Sequence, residues 1–145
     1  MIPIAYLDTS VVLRQVLDEP GAFVGLRTIE VAYANELVRV EALRSIDRLR
    51  ILNAWPNAEV VARIRALIAI LAPVREIPIQ PPILRRAADP FPTIVGTLDA
   101  IHIATALLTQ EEVGKPLLFL THDRTQGIAA EAAGMTAEGF PRQQK

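Results

Sequence analysis

Apolar and polar positions follow one another along the chain in blocks that predict strands and helices in turn. Ile2–Leu7 is a short apolar run, typical of a buried strand, and Asp8 then leads into a predicted helix over residues 11–18. Asn35 suits the N-cap of a longer amphipathic helix that we expect to run to Arg50. The other predicted elements are helices at 22–28, 57–72, 83–88, 98–108 (capped by Thr97) and 123–133, and strands at 29–34, 74–79 and 117–121.

Strands that alternate with helices predict an α/β fold of three layers, in which a mainly parallel central sheet is covered by helices on both faces. The chain has 145 residues, and no repeat or long linker divides it, so we expect a single domain over 1–145. Aromatic residues make up only 5% of the chain, so its core is predicted to be aliphatic.

The charge balance restricts how the protein can bind nucleic acid. The formal net charge is -1, with 15 Lys and Arg against 16 Asp and Glu. A protein that holds nucleic acid by general phosphate attraction carries a basic excess, so any RNA must be held here by a local patch or by bridging metal ions. A net charge near zero also favours self-association.

The compartment is predicted from what the sequence lacks. There is no cysteine, which excludes disulfides and thiolate metal sites and is compatible with a reducing compartment. The first apolar run has no basic start, so we expect no signal peptide. The apolar stretch 66–74 lies between two arginines and is too short to cross a bilayer. We therefore expect a cytoplasmic protein with no membrane contact.

Two carboxylates follow predicted strands directly. Asp8 comes after the first strand, and Asp123 comes one residue after the strand 117–121. Ligands of parallel α/β sheets bind beyond the carboxyl ends of the strands. If these two strands are neighbours, the two acids lie on the same rim.

Two further acids lie on predicted helices with apolar neighbours. Asp99 is in the first turn of its helix, and Glu41 borders the apolar stripe of the helix that begins near Asn35. Clustered carboxylates repel one another, and a hard divalent cation such as Mg²⁺ or Mn²⁺ relieves that repulsion. Each acid also has a simpler interpretation: Asp8 and Asp123 as helix caps, Asp99 as a surface acid matched to the helix dipole, and Glu41 as an ion-pair partner of Arg44.

Four segments decide between these interpretations because together they resemble the motifs of the PIN-domain family. They are Tyr-Leu-Asp-Thr-Ser at 6–10, Glu-Leu-Val-Arg-Val-Glu-Ala-Leu-Arg at 36–44, Leu-Asp-Ala-Ile-His-Ile-Ala-Thr-Ala at 98–106 and Thr-His-Asp-Arg at 121–124. They occur in the family's order and span nearly the whole chain. The length of the chain and the residues of its motifs resemble those of the VapC-type toxins of VapBC toxin–antitoxin pairs more than those of the larger eukaryotic PIN nucleases. One departure is Asn35, where many members carry Ser or Thr.

The resemblance implies a three-layer α/β fold and a Mg²⁺-dependent endoribonuclease, with Mn²⁺ as an alternative ion, that cleaves single-stranded RNA by metal-activated water. It implies that Asp8, Glu41, Asp99 and Asp123 form the catalytic and metal-binding cluster. Ser10 and Thr121 are implied as supporting residues, Ser10 for Asp8 or a phosphate and Thr121 for Asp123. The family also implies a homodimer and a cognate antitoxin that occludes the site.

Two other functions stay open at this point. A catalytically silent PIN module would hold RNA or a partner without cutting. A phosphohydrolase with Asp8 as nucleophile would need a second Asp two residues on, where this chain has Ser10. We interpret His102 as a hydrogen-bonded core residue rather than a catalytic one. The arginines of the Glu41 helix and of 85–86 suit RNA phosphates, ion pairs or an acidic antitoxin segment equally well.

Overall fold

A computed structural model describes residues 2–142, and within them five strands form one sheet in which every pairing is parallel. The sheet order is β3-β2-β1-β4-β5. Met1 and residues 143–145, which the predicted domain 1–145 includes, lie outside the described residues. The strands are β1 (Ile2–Leu7), β2 (Ile29–Asn35), β3 (Arg75–Ile77), β4 (Leu118–Leu120) and β5 (Thr136–Glu138).

Helices connect the strands and cover both faces of the sheet. They are α1 (Thr9–Val16), α2 (Leu37–Leu52), α3 (Asn57–Leu71), α4 (Pro81–Ala88), α5 (Thr97–Val113) and α6 (Arg124–Ala132), with a 3-10 turn at Leu26–Thr28. Side chains alternate along β1 and β4, so Leu7 and Leu120 belong to the core under α1, α2 and α3, while Tyr6 and Phe119 belong to the core under α5 and α6. This confirms the predicted three-layer α/β fold.

The centre of the sheet brings the first and fourth strands together. β1 lies between β2 and β4, and the backbone N–H of Asp8 donates to the carbonyl of Leu120 over 2.9 Å. The carboxyl ends of β1 and β4 therefore lie side by side. The two residues that follow these strands, Asp8 and Thr121, start on the same rim.

The structure corrects two of the predicted elements. The helix predicted at 22–28 is only the 3-10 turn, because Gly25 weakens a helix there and the Thr28 hydroxyl donates to the Gly25 carbonyl over 2.6 Å. β5 was not predicted, since three residues carry no measurable alternation. Its pairing with β4 makes Thr136–Glu138 a strand.

Two helix N-caps also lie one residue away from their predicted positions. Asn35 ends β2 and Glu36 takes the N-cap position of α2, but the Asn35 side chain still accepts the N–H of Leu37 over 2.9 Å. Thr97 is the first residue of α5 and Gly96 is its N-cap. The helix extends five residues beyond the predicted end, from 108 to 113, and stops at Gly114, whose φ of 72° is left-handed.

Candidate functional site

Asp8 is the N-cap of α1 and is held by hydroxyl groups from two segments. Its Oδ2 accepts from the Ser10 hydroxyl over 2.5 Å, from the Thr121 hydroxyl over 3.0 Å and from the Ser10 N–H over 3.3 Å. The Ser10 oxygen in turn accepts the N–H of His122 over 2.9 Å. The carboxylate is almost buried, and three donors on one oxygen fix its orientation.

Asp123 is exposed and caps α6. Its Oδ1 accepts the N–H of Gln126 over 2.9 Å, and its own N–H donates to the Thr121 hydroxyl over 3.0 Å. Thr121 thus orients the backbone of Asp123, while its hydroxyl proton faces Asp8 and the side-chain carbonyl of Gln126. Thr121 thus contacts both acids, the backbone of Asp123 through its oxygen and the carboxylate of Asp8 through its hydroxyl proton.

Glu41 reaches the rim from α2 and meets two donors there. Its Oε1 lies 2.9 Å from the Thr9 hydroxyl and 2.6 Å from His102 Nε2. Burial would raise the pKa of Glu41, but the hydrogen bonds and charge of His102 and Thr9 outweigh it and lower that pKa. Pairing with Arg44 is excluded, since Arg44 contacts Asp47 over 3.2 Å.

The pKa of Asp99 responds to the charges of the other three acids. Its pKa rises from 3.8 to about 6, first because the carboxyl is half-buried and then because of the negative charges of Asp8 and Asp123; Glu41 adds a smaller effect of the same sign. The charge of His102 opposes the increase. Repulsion of this kind falls off with distance, so the four acids share one electrostatic environment.

The carboxylates share a second property: each leaves at least one oxygen without a hydrogen-bond donor among residues 2–142. The fold uses Oδ2 of Asp8, Oε1 of Glu41 and Oδ1 of Asp123, and neither oxygen of Asp99 accepts a hydrogen bond. No Lys or Arg of the described chain forms an ion pair with these acids; His102 lies beside Asp8 and Glu41 and is charged only when its ring is protonated.

The donor set fits a hard divalent cation with an incomplete protein shell. No three His, Asp or Glu side chains in residues 2–142 are arranged to hold one ion as they stand. That argues against a closed all-protein cage, as structural zinc requires. Mg²⁺ keeps several waters and is usually held by only one or two carboxylates, so free oxygens on Asp8 and Asp99 suit it.

The acid rim is separate from a cavity of about 570 Å³ between α3 and β2, which none of the four acids lines. The perturbed pKa of Asp99 and the carboxylate oxygens without hydrogen-bond donors make the rim, and not this cavity, the candidate site.

The sequence matches the family model described as PIN domain over residues 5–131. The chain belongs to the PIN-domain family. The matched range contains all four acids, the end of β1 and the whole of β2, β3 and β4, and it stops before β5. No curated protein matches the chain in sequence.

Solved structures share this PIN fold at low sequence identity. PAE2754 from Pyrobaculum aerophilum is 19% identical with a TM-score of 0.62, and the match covers 92% of this chain and 83% of that one. The crystal structure of VapBC2 from Rickettsia felis, bound to a DNA fragment from its promoter, contains a chain that is 12% identical with a TM-score of 0.63. That match covers 93% of this chain and 97% of the other. At these identities the comparison shows the fold alone.

Several residues of this PIN domain contact the acids or their supports in ways that the sequence did not predict. His102 is buried as predicted, but it also contacts Glu41 and lies 3.9 Å from Asp8. Its spacing three residues after Asp99, on the same helix face, was the available signal. Nothing in the sequence indicates the contacts that Thr9 and Gln126 make in the structure. Asp8 and Asp123 cap helices and also perturb the pKa of Asp99, so the two interpretations were compatible. Among residues 2–142 no helix is long and apolar enough to span a membrane.

Proposed function

We propose that the chain is a VapC-type endoribonuclease that requires Mg²⁺, or Mn²⁺ in its place, and cleaves single-stranded RNA. PIN domains are generally nucleases, and the family match supports that class of activity here. The observation that carries the proposal is the grouping of acids at one rim of a PIN domain: His102 Nε2 lies 2.6 Å from Glu41 and 3.9 Å from Asp8, and the charges of Asp8 and Asp123 help to raise the pKa of Asp99. Stability alone does not favour such a cluster.

The acids and the hydroxyl residues would have different roles in binding the cation. Asp8 and Asp99 would hold the cation, with Glu41 and Asp123 contacting it directly or through water. When bound, Mg²⁺ would neutralise the carboxylates, counter the charge that develops on the phosphodiester and make water easier to deprotonate. Glu41 Oε2 and Asp123 Oδ2 are left as acceptors for the hydrogens of water at the rim. Ser10 and Thr121 keep Asp8 in place.

The RNA contacts are proposed to be local. Arg39 is paired with Glu76, and Arg50 with Asp47, so these arginines of α2 are already partly engaged. Arg48 and Arg85 are exposed and form no ion pair within residues 2–142, which makes them the better candidates for phosphate contacts. With a net charge of -1, the cation at the rim would supply much of the remaining attraction.

The protein is also proposed to form a homodimer and to bind a cognate antitoxin in the cytoplasm. The VapBC2 neighbour supports the antitoxin by analogy of fold. Light scattering on the purified protein tests the dimer. The antitoxin proposal requires that a short reading frame beside the gene encode a protein that binds this chain and inhibits cleavage.

Cleavage of a quenched fluorescent single-stranded RNA tests the activity. We expect cleavage with Mg²⁺, none with EDTA, and a loss of at least about 100-fold in Asp8→Asn and Asp99→Asn, since they remove ligands and not only their supports. Glu30→Gln is the matched control, because Glu30 is exposed at the opposite, amino end of β2. Full activity in EDTA would refute the proposal. Metal-dependent RNA binding without turnover would instead indicate a silent binding module.

A further inference from the structure

A buried chain of hydrogen bonds leads from the backbone of β2 to the acid rim. The N–H of Asn35 donates to the Tyr6 hydroxyl oxygen over 3.0 Å, and that oxygen lies 2.6 Å from His102 Nδ1. His102 Nε2 lies 2.6 Å from Glu41 Oε1. Tyr6 and His102 are both 0% exposed, so water does not compete for these contacts.

Counting the protons in this series of hydrogen bonds identifies the donor and the acceptor of each. The Tyr6 hydroxyl is a phenol with one proton to donate, and it is fully buried. Its oxygen already accepts the N–H of Asn35, and the nitrogen within reach of its proton is His102 Nδ1. When the ring is neutral, Nδ1 is therefore an acceptor. The proton of the neutral ring then lies on Nε2, which donates to Glu41.

This direction determines which oxygen of Glu41 remains available. Oε1 receives two donors, the imidazole Nε2–H and the Thr9 hydroxyl. No hydrogen bond of the described chain reaches Oε2. Two donors on one oxygen restrict rotation of the carboxylate, and both donors are themselves held by neighbouring structure.

We propose that His102, oriented by Tyr6, is a positioning residue that fixes Glu41 through Oε1 and leaves Oε2 for the divalent cation or its water. The proposal rests on the proposed metal-dependent function, in which Glu41 belongs to the site. It gives the family's third motif a role beyond carrying Asp99, since His102 lies one turn further on the same helix, α5.

The second histidine of the chain supplies an internal reference. His122 Nδ1 lies 2.7 Å from the carbonyl oxygen of Gly139, which can only accept. The neutral His122 ring must therefore carry its proton on Nδ1. The chain contains two histidines in all, so the structure assigns them opposite tautomers.

Two-bond ¹H–¹⁵N correlation spectra of the wild-type protein test this without any substitution. At alkaline pH, where both rings are neutral, we expect one ring protonated on Nε2 and the other on Nδ1. The ring protonated on Nε2 should disappear in His102→Gln, and its Nε2 resonance should shift in Glu41→Gln. A His102 ring protonated on Nδ1, or one indifferent to Glu41→Gln, overturns the proposal.

Binding of Mn²⁺, followed by electron paramagnetic resonance, tests the consequence for the site. We expect His102→Leu to weaken Mn²⁺ binding about 10- to 100-fold, as removal of an outer-shell partner does. His102→Gln should restore most of it, because the Gln amide nitrogen is as many bonds from Cβ as Nε2 is. Tyr6→Phe should cause a smaller loss.

These outcomes separate the positioning role from mere support of the fold and from the proposed function. Thermal unfolding of each variant shows whether His102→Leu folds; if it does not, the wild-type spectra and Tyr6→Phe still decide. Wild-type Mn²⁺ affinity in a folded His102→Leu overturns the proposal. If Mn²⁺ binding responds as expected but the wild-type protein cleaves no RNA, the nuclease function fails and the positioning role stands.

Discussion

Replacing Asp99 by Asn should stabilise the metal-free protein at neutral pH. A carboxyl whose pKa rises on folding is held in an environment that disfavours its charge, and Asp99 has such a pKa, about 6 instead of 3.8. Between these two values the folded protein binds the proton more tightly than the unfolded chain does. The free energy of unfolding therefore falls as the pH rises through this window and stays lowered above it.

The magnitude follows from the same pKa. An increase from 3.8 to about 6 corresponds to about 3 kcal/mol between the two protonation states, which is an upper limit. Because Asp99 is only half-buried and salt screens its repulsion with Asp8 and Asp123, we expect a gain of about 1 kcal/mol for Asp99→Asn. The gain should shrink toward zero as the pH falls below the ordinary pKa of a carboxyl.

Urea unfolding with EDTA at neutral and at acidic pH measures this gain. Glu30→Gln is the control, since an exposed strand residue should change stability by less than about 0.5 kcal/mol at either pH. Excess Mg²⁺ should stabilise the wild type more than Asp99→Asn, because a ligand that binds only the folded state shifts the equilibrium. A variant no more stable than the wild type at neutral pH, or equally stabilised at acidic pH, would show that Asp99 does not carry repelled charge.

Three further predictions concern the frame around the site. Gly127→Ala should lower the free energy of unfolding by about 1–3 kcal/mol in urea titrations, because a Cβ there would lie 2.3 Å from the buried Phe140 ring; Gly96→Ser, where a Cβ meets nothing within 4 Å, should be neutral or slightly stabilising. Gly139→Ala should also destabilise, and should reduce RNA cleavage as well, since φ is +100° and the new Cβ would lie 2.7 Å from the Thr121 carbonyl oxygen. Thr121→Val should reduce cleavage at least about 10-fold while Thr121→Ser retains it, as the hydroxyl is what holds Asp8; equal rates in the two variants would contradict this.

Much of the fold could be predicted because its strong signals are local. The apolar run of β1 and the long amphipathic pattern of α2 follow directly from side-chain periodicity. β5 could not be predicted, since Thr136–Glu138 is a strand only through its pairing with β4. The helix predicted at 22–28 is wrong because a local contact overrides the composition. The residues suit a helix, but Gly25 and the Thr28 hydroxyl favour a tight turn.

The four acids were found through motif resemblance, whereas their supports were not. Spacing predicts that Asp8 and Asp123 reach one rim, because both follow parallel strands. It cannot predict that Thr9 and His102 converge on one oxygen of Glu41, since those contacts join segments 32 and 61 residues apart. Hydrogen-bond partners of this kind depend on the packed geometry of three elements, which periodicity does not encode.

The position of β4 in the chain has a consequence for how the protein is made. β1 leaves the ribosome before β4, and one of its edges is paired only after Leu118–Leu120 has been translated. Until then the Asp8 carboxylate lacks the Thr121 hydroxyl, and the Thr121 N–H itself needs the carbonyl of Glu138 in β5. A chain that stops before β4 therefore carries no assembled centre. For a protein proposed to cut RNA, synthesis must pass β5 before the centre can form.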